Sequence, residues 1–304
     1  MYARLDDFIT NALKLGRKRV AVAAAANTLV LRSIKLAQEE GLVEAILVGP
    51  EQDIREHAAE AEMDLDGVRL VGTETTIKSA EVAVDLVREG EADILMKGHL
   101  HTNEFLKAVL RHEVGLRTDR LLSHVFIMQI PTYHKLLLIT DAAINIAPDL
   151  MQKADILQNA IDMLVQIGID QPKAAVLSAI ETINPKIPST VDAACLHKMA
   201  ERGQIKHALV DGPMAFDNAI SSEAAREKGI RSPVAGDVDI VLAPGLDAGN
   251  ILYKNLVYLS QAQIAGIVMG ARAPVVLTSR ADTARARVHS LALASLICGP
   301  GQAC

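Results

Sequence analysis

Short aliphatic runs alternate with longer amphipathic segments along most of this chain, and that rhythm limits the fold more than any other feature. Residues 20–25, 45–48, 68–71 and 94–96 are brief, unbroken and mostly aliphatic. Between them, segments such as 33–40 and 79–88 repeat apolar residues three and four positions apart. Unbroken apolar runs suit strands buried on both faces, and the intervening spacing suits the helices that cover them. The pattern therefore predicts βαβ units around a parallel sheet. Residues 123–130 and 135–140 depart from it, because only Pro131-Thr132-Tyr133-His134 separates them, which predicts a hairpin. The alternation resumes at 174–178, 208–211, 240–243 and 267–269; residues 275–278 then lead into a last helix at 283–297, stopped by Gly299-Pro300-Gly301. No Gly/Ser- or Pro-rich linker divides the chain, so a two-domain split must be intimate. The expected division is 1–140 plus 271–304 for one αβα domain and 141–270 for the other, around a cleft. Such folds bind ligands beyond the carboxyl ends of their strands.

Composition narrows the function classes. Half of the 304 residues are hydrophobic, which excludes a disordered chain. Only 3% are aromatic and the net charge is −6, so neither base stacking nor a basic face for nucleic acid is available. Three scattered cysteines without a CxxC fit a reducing cytosol and supply no zinc site. No apolar run approaches the roughly 20 residues of a membrane span, and the first residues carry Asp6 and Asp7 rather than an apolar signal core. A cytoplasmic protein with no nucleic-acid or membrane partner is expected.

Polar residues collect where strands end. In Pro274-Val275-Val276-Leu277-Thr278-Ser279-Arg280-Ala281-Asp282-Thr283, a buried strand runs into two hydroxyls, a cation and a carboxylate just before a helix. Hydroxyls, guanidinium and free helix N–H groups together can hold a phosphate or a developing oxyanion. The same residues also read as a plain junction, with Ser279 or Asp282 capping the helix and Arg280 solvated. In Pro244-Gly245-Leu246-Asp247-Ala248-Gly249-Asn250-Ile251-Leu252-Tyr253-Lys254, a glycine loop opens a helix bearing Asp247, Asn250 and Lys254, with Asp247 alternatively an N-cap. Met96-Lys97-Gly98-His99-Leu100-His101-Thr102-Asn103 holds two histidines, but no Cys or acidic set completes a metal site. A polar rim is expected there, with His101 and Thr102 as substrate-binding candidates. Arg117, after Gly115, reads as an anion clamp or a surface arginine, and Lys18-Arg19 as a solvated boundary before the first strand. GxGxxG, GxxxxGK[ST] and GxSxG are all absent.

In order along the chain, these segments resemble the phosphate acetyltransferase and phosphate butyryltransferase family. Asp247-Ala248-Gly249-Asn250-Ile251 with Tyr253-Lys254 looks like its xAGNIxYK element, and Pro274 with Leu277-Thr278-Ser279-Arg280 like its PVxxLSR element. Asp211-Gly212-Pro213 with Asp217-Asn218-Ala219-Ile220 resembles GPxxxDxAI, and Asp141 to Asn145 resembles DxAxN. Glu113 to Thr118 followed by Ser123-His124-Val125 looks like the butyryl-type branch. Ala286 stands near the place where acetyl-type members tend to carry an aspartate, and Asp282 is the nearest substitute. Ala142 stands where some of them carry a cysteine, so an acyl-cysteine is not implied.

The resemblance implies a two-domain αβα fold like that of isocitrate and isopropylmalate dehydrogenases, with an interdomain cleft and usually dimeric. It implies that a short-chain acyl-CoA and phosphate give acyl phosphate and CoA in a ternary complex, with CoA a substrate and no tightly bound cofactor or metal. Arg280, Ser279 and Asp282 would be catalytic. Arg117, Thr278, Asp247, Asn250, Lys254, His101 and Thr102 would bind substrate. An acyltransferase using acyl carrier protein, and a CoA- or phosphate-binding protein of the same fold, are the rival readings. A metal- and NAD-dependent dehydrogenase of this fold would need a carboxylate series that the carboxyl half lacks.

Overall fold

A computed structural model describes residues 2–279 and 282–299. The chain forms two compact units: Asp6–Arg120 with Ala265–Cys304, called here the first, and Met1–Leu5 with Leu121–Ile264, the second. The first unit begins with α1 (Asp6–Ala12), β1 (Lys18–Ala23), α2 (Thr28–Glu39), β2 (Val43–Gly49) and α3 (Glu51–Glu60). It continues through β3 (Arg69–Gly72), α4 (Thr76–Arg88), β4 (Ile94–Lys97) and α5 (Thr102–Val109). The second unit contributes β5 (Ser123–Gln129), β6 (Leu137–Thr140), α6 (Leu150–Gln166), β7 (Lys173–Leu177), α7 (Pro188–Glu201) and β8 (Leu209–Met214). It is completed by α8 (Phe216–Ile220), α9 (Ser222–Glu227), β9 (Ile240–Leu242) and α10 (Leu246–Tyr258). Then β10 (Gln263–Met269) returns the chain to the first unit, where β11 (Val275–Val276) and α11 (Ala284–Cys298) follow.

In the first unit the strand order is β3-β2-β1-β4-β11-β10. All neighbours are parallel except β10, which runs antiparallel to β11 with Val268 opposite Val275. In the second the order is β5-β6-β9-β7-β8, parallel except for the β5–β6 hairpin. The alternation and the hairpin are thus as the sequence predicts. The division is not where it was expected. Because β6 pairs with β9, the hairpin belongs to the second unit, and the boundaries fall at 120/121 and 264/265 rather than 140/141 and 270/271.

Strands β4 and β6 are buried at every position, which suits parallel strands covered on both faces. Asn27 caps α2 through Val30 N–H at 3.1 Å, and Asp149 and Gln152 form a reciprocal capping box on α6. Helix α11 packs against α1, α2 and β11, and Val288 to Ala294 are buried all round it. Lys18 and Arg19 are not a solvated boundary. Both lie in β1; Lys18 is buried with Nζ 2.7 Å from the Gly299 carbonyl, and Arg19 Nη2 meets Asp93 Oδ1 at 2.7 Å.

At the amino ends of the second unit's strands, Asp237 gathers Lys173 Nζ at 2.6 Å, His134 Nε2 at 2.8 Å and Lys135 Nζ at 3.1 Å. Burial opposes ionisation of Asp237, but hydrogen bonds from Lys173, Lys135 and His134 outweigh it and hold the carboxyl far below its usual range. A folded-state pKa below the unfolded value of about 3.9 means that the ionised group stabilises the fold above that pH, and the contribution is lost on further acidification. The side chain is 41% exposed, so solvent screening limits the effect to about 1 kcal/mol. Asp237→Asn is expected to lower stability by that amount near neutral pH, the difference from the parent shrinking between about pH 5 and pH 2 in urea titrations.

Candidate active site

Parallel register assembles one edge of the first unit. Ala23 lies opposite Lys97, and Met96 opposite Val276, so continuing the strands puts Leu277 and Thr278 level with Lys97 and Gly98. The carboxyl ends of β1, β4 and β11 therefore lie side by side. Each chain then turns into a helix: α2 after its cap Asn27, α5 at Thr102, and α11 after its cap Thr283. Three helix amino ends on one edge offer N–H groups and positive dipole ends to an anion. Lys97 adds a cation; it is 5% exposed, with Nζ 3.4 Å from the Gly98 carbonyl.

Gly98 makes that edge possible. Its N–H donates to the Ala23 carbonyl, and His99 N–H to the Ala24 carbonyl, both at 2.8 Å. A Cβ on Gly98 would lie 2.3 Å from the Ala24 oxygen and 2.5 Å from the Ala23 oxygen. Only glycine lets the two backbones approach this closely.

Thr278 is buried and Ser279 exposed. Ser279 N–H donates to Asp282 Oδ2 at 2.6 Å, and Asp282 N–H to the Ser279 carbonyl at 3.2 Å. Arg287, one turn into α11, donates from Nη2 to the Ser279 carbonyl at 3.1 Å and from Nη1 to the Asp282 carbonyl at 2.9 Å. Neither Ser279 nor Asp282 caps the helix; Thr283 does, accepting from Ala286 N–H at 3.2 Å. Arg280 lies outside the described residues. His101 and Thr102, at the start of α5, are exposed and half-buried respectively and share the edge with Thr278 and Ser279. Arg117 does not. It bridges Ala271 beside the β10–β11 turn, and Arg272 Nε donates to its carbonyl at 3.0 Å. Because β10 is antiparallel to β11, that turn is at the amino end of β11, opposite Thr278 and Ser279.

In the second unit, Asp141 is 3% exposed and its carboxylate accepts from the N–H groups of His124, Ala143, Ile144 and Asn145 and from Asn145 Nδ2. Helix α10 presses on this turn through Gly249, where a Cβ would lie 2.8 Å from the Asp141 carbonyl oxygen. Asn250 Nδ2 donates to the Ala142 carbonyl at 3.0 Å, and Tyr253 stacks on Phe126 with centroids 3.8 Å apart. Asp247 and Lys254 are exposed, seven residues apart on the α10 face that Asn250 adjoins. Gly245, rather than Asp247, occupies the N-cap position.

The profile of phosphate acetyl/butaryl transferases matches residues 73–295. A phosphate acetyltransferase of Rhizobium meliloti is 55% identical over 260 residues, covering 86% of this chain and 82% of its own length. A phosphate butyryltransferase of Clostridium acetobutylicum is 44% identical over 299 residues, covering 98% of this chain and 99% of the relative. The chain belongs to the phosphate acetyl/butaryl transferase family. A branched-chain phosphotransacylase from Enterococcus faecalis V583 superposes with a TM-score of 0.82 at 34% identity, covering 93% of this chain and 99% of that one. The two-domain αβα architecture expected from the motifs is thus shared with a solved relative.

Two residues of the transferase edge escape a reading by motif. Lys97 carried a signal, a cation at the end of an apolar run before glycine. Arg287 carried none, since an arginine one turn into a helix reads as surface charge. Among the described residues, no group of three or more His, Cys, Asp or Glu is placed to hold a metal ion. Gly98→Ala is expected to cost about 1–3 kcal/mol in denaturant unfolding, because backbone oxygens cannot yield as a flexible side chain would.

Proposed function

We propose that this chain transfers a short acyl group, acetyl or butyryl, between CoA and inorganic phosphate by direct attack in a ternary complex. The observation that carries the reading is the Thr278–Ser279 strand end set on an edge with Lys97 and three helix amino ends, in a chain of this family. A phosphate oxygen attacks the thioester carbonyl, the tetrahedral intermediate collapses, the C–S bond breaks, and CoA leaves as thiolate and takes a proton. Phosphate is already an anion, and a thiol of pKa about 8.5 is an adequate leaving group. The oxyanion and the clustered negative charge are the larger obstacle, and one preorganised donor is worth about 3–4 kcal/mol against it.

Ser279 and Arg280 are assigned to phosphate and the oxyanion, with Thr278, His101 and Thr102 lining the same edge. Asp282 is assigned a bracing role, because one carboxylate oxygen already holds the Ser279 N–H. An ordinary aspartate is also some four to five pK units too acidic to match a thiol. Asp247 and Lys254 are exposed and open to substrate, whereas Asn250 is committed to the Ala142 carbonyl. CoA enters as a substrate, and the chemistry requires no tightly held cofactor or metal. The enzyme works in the cytoplasm, where acyl-CoA is held, as a homodimer. Ile146, Ile251, Tyr258 and Leu259, all exposed on the second unit, support association; sedimentation equilibrium giving the mass of a single chain at micromolar concentration would overturn the dimer.

Thiol release from acetyl-, propionyl- and butyryl-CoA is expected to depend on phosphate and to yield an acyl phosphate trapped by hydroxylamine. CoA binding without turnover of any of the three would mark a binding protein instead. Arg280→Ala is expected to lose about 10²–10³ in kcat. Asp282→Asn keeps an acceptor for Ser279 N–H and should lose at most about tenfold. Comparable losses would make Asp282 a proton acceptor and reverse the assignment.

A further inference from the structure

We propose that Arg287 is a positioning residue for the phosphate-side chemistry, acting through Ser279. The inference rests on the acyl-transfer reading above. Arg287 is 4% exposed, although a buried guanidinium is costly and a cation near a helix amino end opposes the dipole. Among the described residues, no salt bridge to a carboxylate offsets this directly. The guanidinium meets the main-chain carbonyls of Ser279 at 3.1 Å and Asp282 at 2.9 Å, and Nε has no hydrogen-bond partner among the described residues. Burial lowers its pKa from the ordinary guanidinium value, while the Asp282 charge acts the other way.

The geometry explains why the cost is tolerated. Side chains on a helix lean toward its amino end, so a residue one turn into α11 reaches back over the junction. The planar fork spans two carbonyls that flank the chain between Ser279 and Asp282, and a lysine would satisfy only one. Asp282 Oδ2 holds the Ser279 N–H at 2.6 Å. Both main-chain polar groups of Ser279 are thereby held, which fixes the backbone from which its exposed side chain projects at the end of β11. The same two carbonyls, turned toward the edge, would repel an anion; Arg287 keeps them turned away from it.

Arg287→Met and Arg287→Lys test the assignment, with phosphate and acetyl-CoA as substrates and CoA binding measured by calorimetry. The methionine variant should lose about 100-fold in kcat/KM for phosphate while its Kd for CoA moves by less than about twofold, and the lysine variant should fall between it and the parent. A purely structural role would lower Tm and reduce turnover and CoA binding together, in proportion to the folded fraction, and that result overturns the proposal. So does a folded methionine variant with undiminished kcat/KM. If the methionine variant does not fold, the lysine variant decides by the same criteria. Amide exchange in the unsubstituted protein gives an independent reading: the Ser279 N–H should be protected, and free exchange would overturn the brace. An unsubstituted protein that turns over no acyl-CoA refutes the acyl-transfer reading itself and this inference with it; an active unsubstituted protein beside an unimpaired variant refutes only the role of Arg287.

Discussion

The in-register parallel pairing of β1, β4 and β11 is the constraint on which the candidate site depends. Residues on three strands far apart in sequence end at one level because Ala23 faces Lys97 and Met96 faces Val276. A slip of one position would turn every side chain to the other face of the sheet and lift one strand end out of line. Gly98 anchors the level at its tightest point, where the main chain after β4 hydrogen-bonds to Ala23 and Ala24 with no room for a side chain. The helices that follow then present their amino ends together without any residue being chosen for that purpose.

Each unit uses one buried aspartate to stiffen a turn near an expected functional segment. Asp141 accepts five hydrogen bonds from its surroundings, four of them from main-chain N–H groups. Asp282 accepts Ser279 N–H and lies beside the Arg287 charge. A carboxylate that organises N–H groups stabilises a turn more firmly than a neutral acceptor, since charge-assisted bonds are roughly twice as strong. This explains why much of the motif content is architectural: Gly249 and Asn250 dock α10 on the Asp141 turn, while Asp247 and Lys254 remain open to solvent.

The architecture was largely legible in the sequence because buried parallel strands leave an unbroken apolar signature, and Pro131 to His134 is too short for a crossover. Features that depend on distant partners were not. Lys18 and Arg19 looked like a wet boundary, yet Asp93, 74 positions beyond Arg19, draws Arg19 into the sheet. Arg117 carried the right charge but depended on strand direction, and the antiparallel turn of β10 into β11 takes it to the other end. The cap of α11 was not legible because Ser279, Asp282 and Thr283 are all good capping types, and only the bond from Ala286 N–H to Thr283 separates them. Domain boundaries drifted for a related reason, since pairing of β6 with β9 is not written in either segment alone.

The acidic composition and the anionic chemistry are reconciled by where the cations sit. A chain of net charge −6 does not draw phosphate and CoA by its overall field. Lys97 and Arg287 are nonetheless both nearly excluded from water at the strand-end edge. A charge in that setting acts through a lower effective dielectric than a surface lysine, and is screened less by salt. Two buried cations and three helix amino ends, set against the buried Asp282 carboxylate, therefore make a local charge pattern that the net charge conceals. An edge of this kind would discriminate by position rather than by bulk attraction, and the energetic cost of burying Lys97 and Arg287 falls on the fold itself.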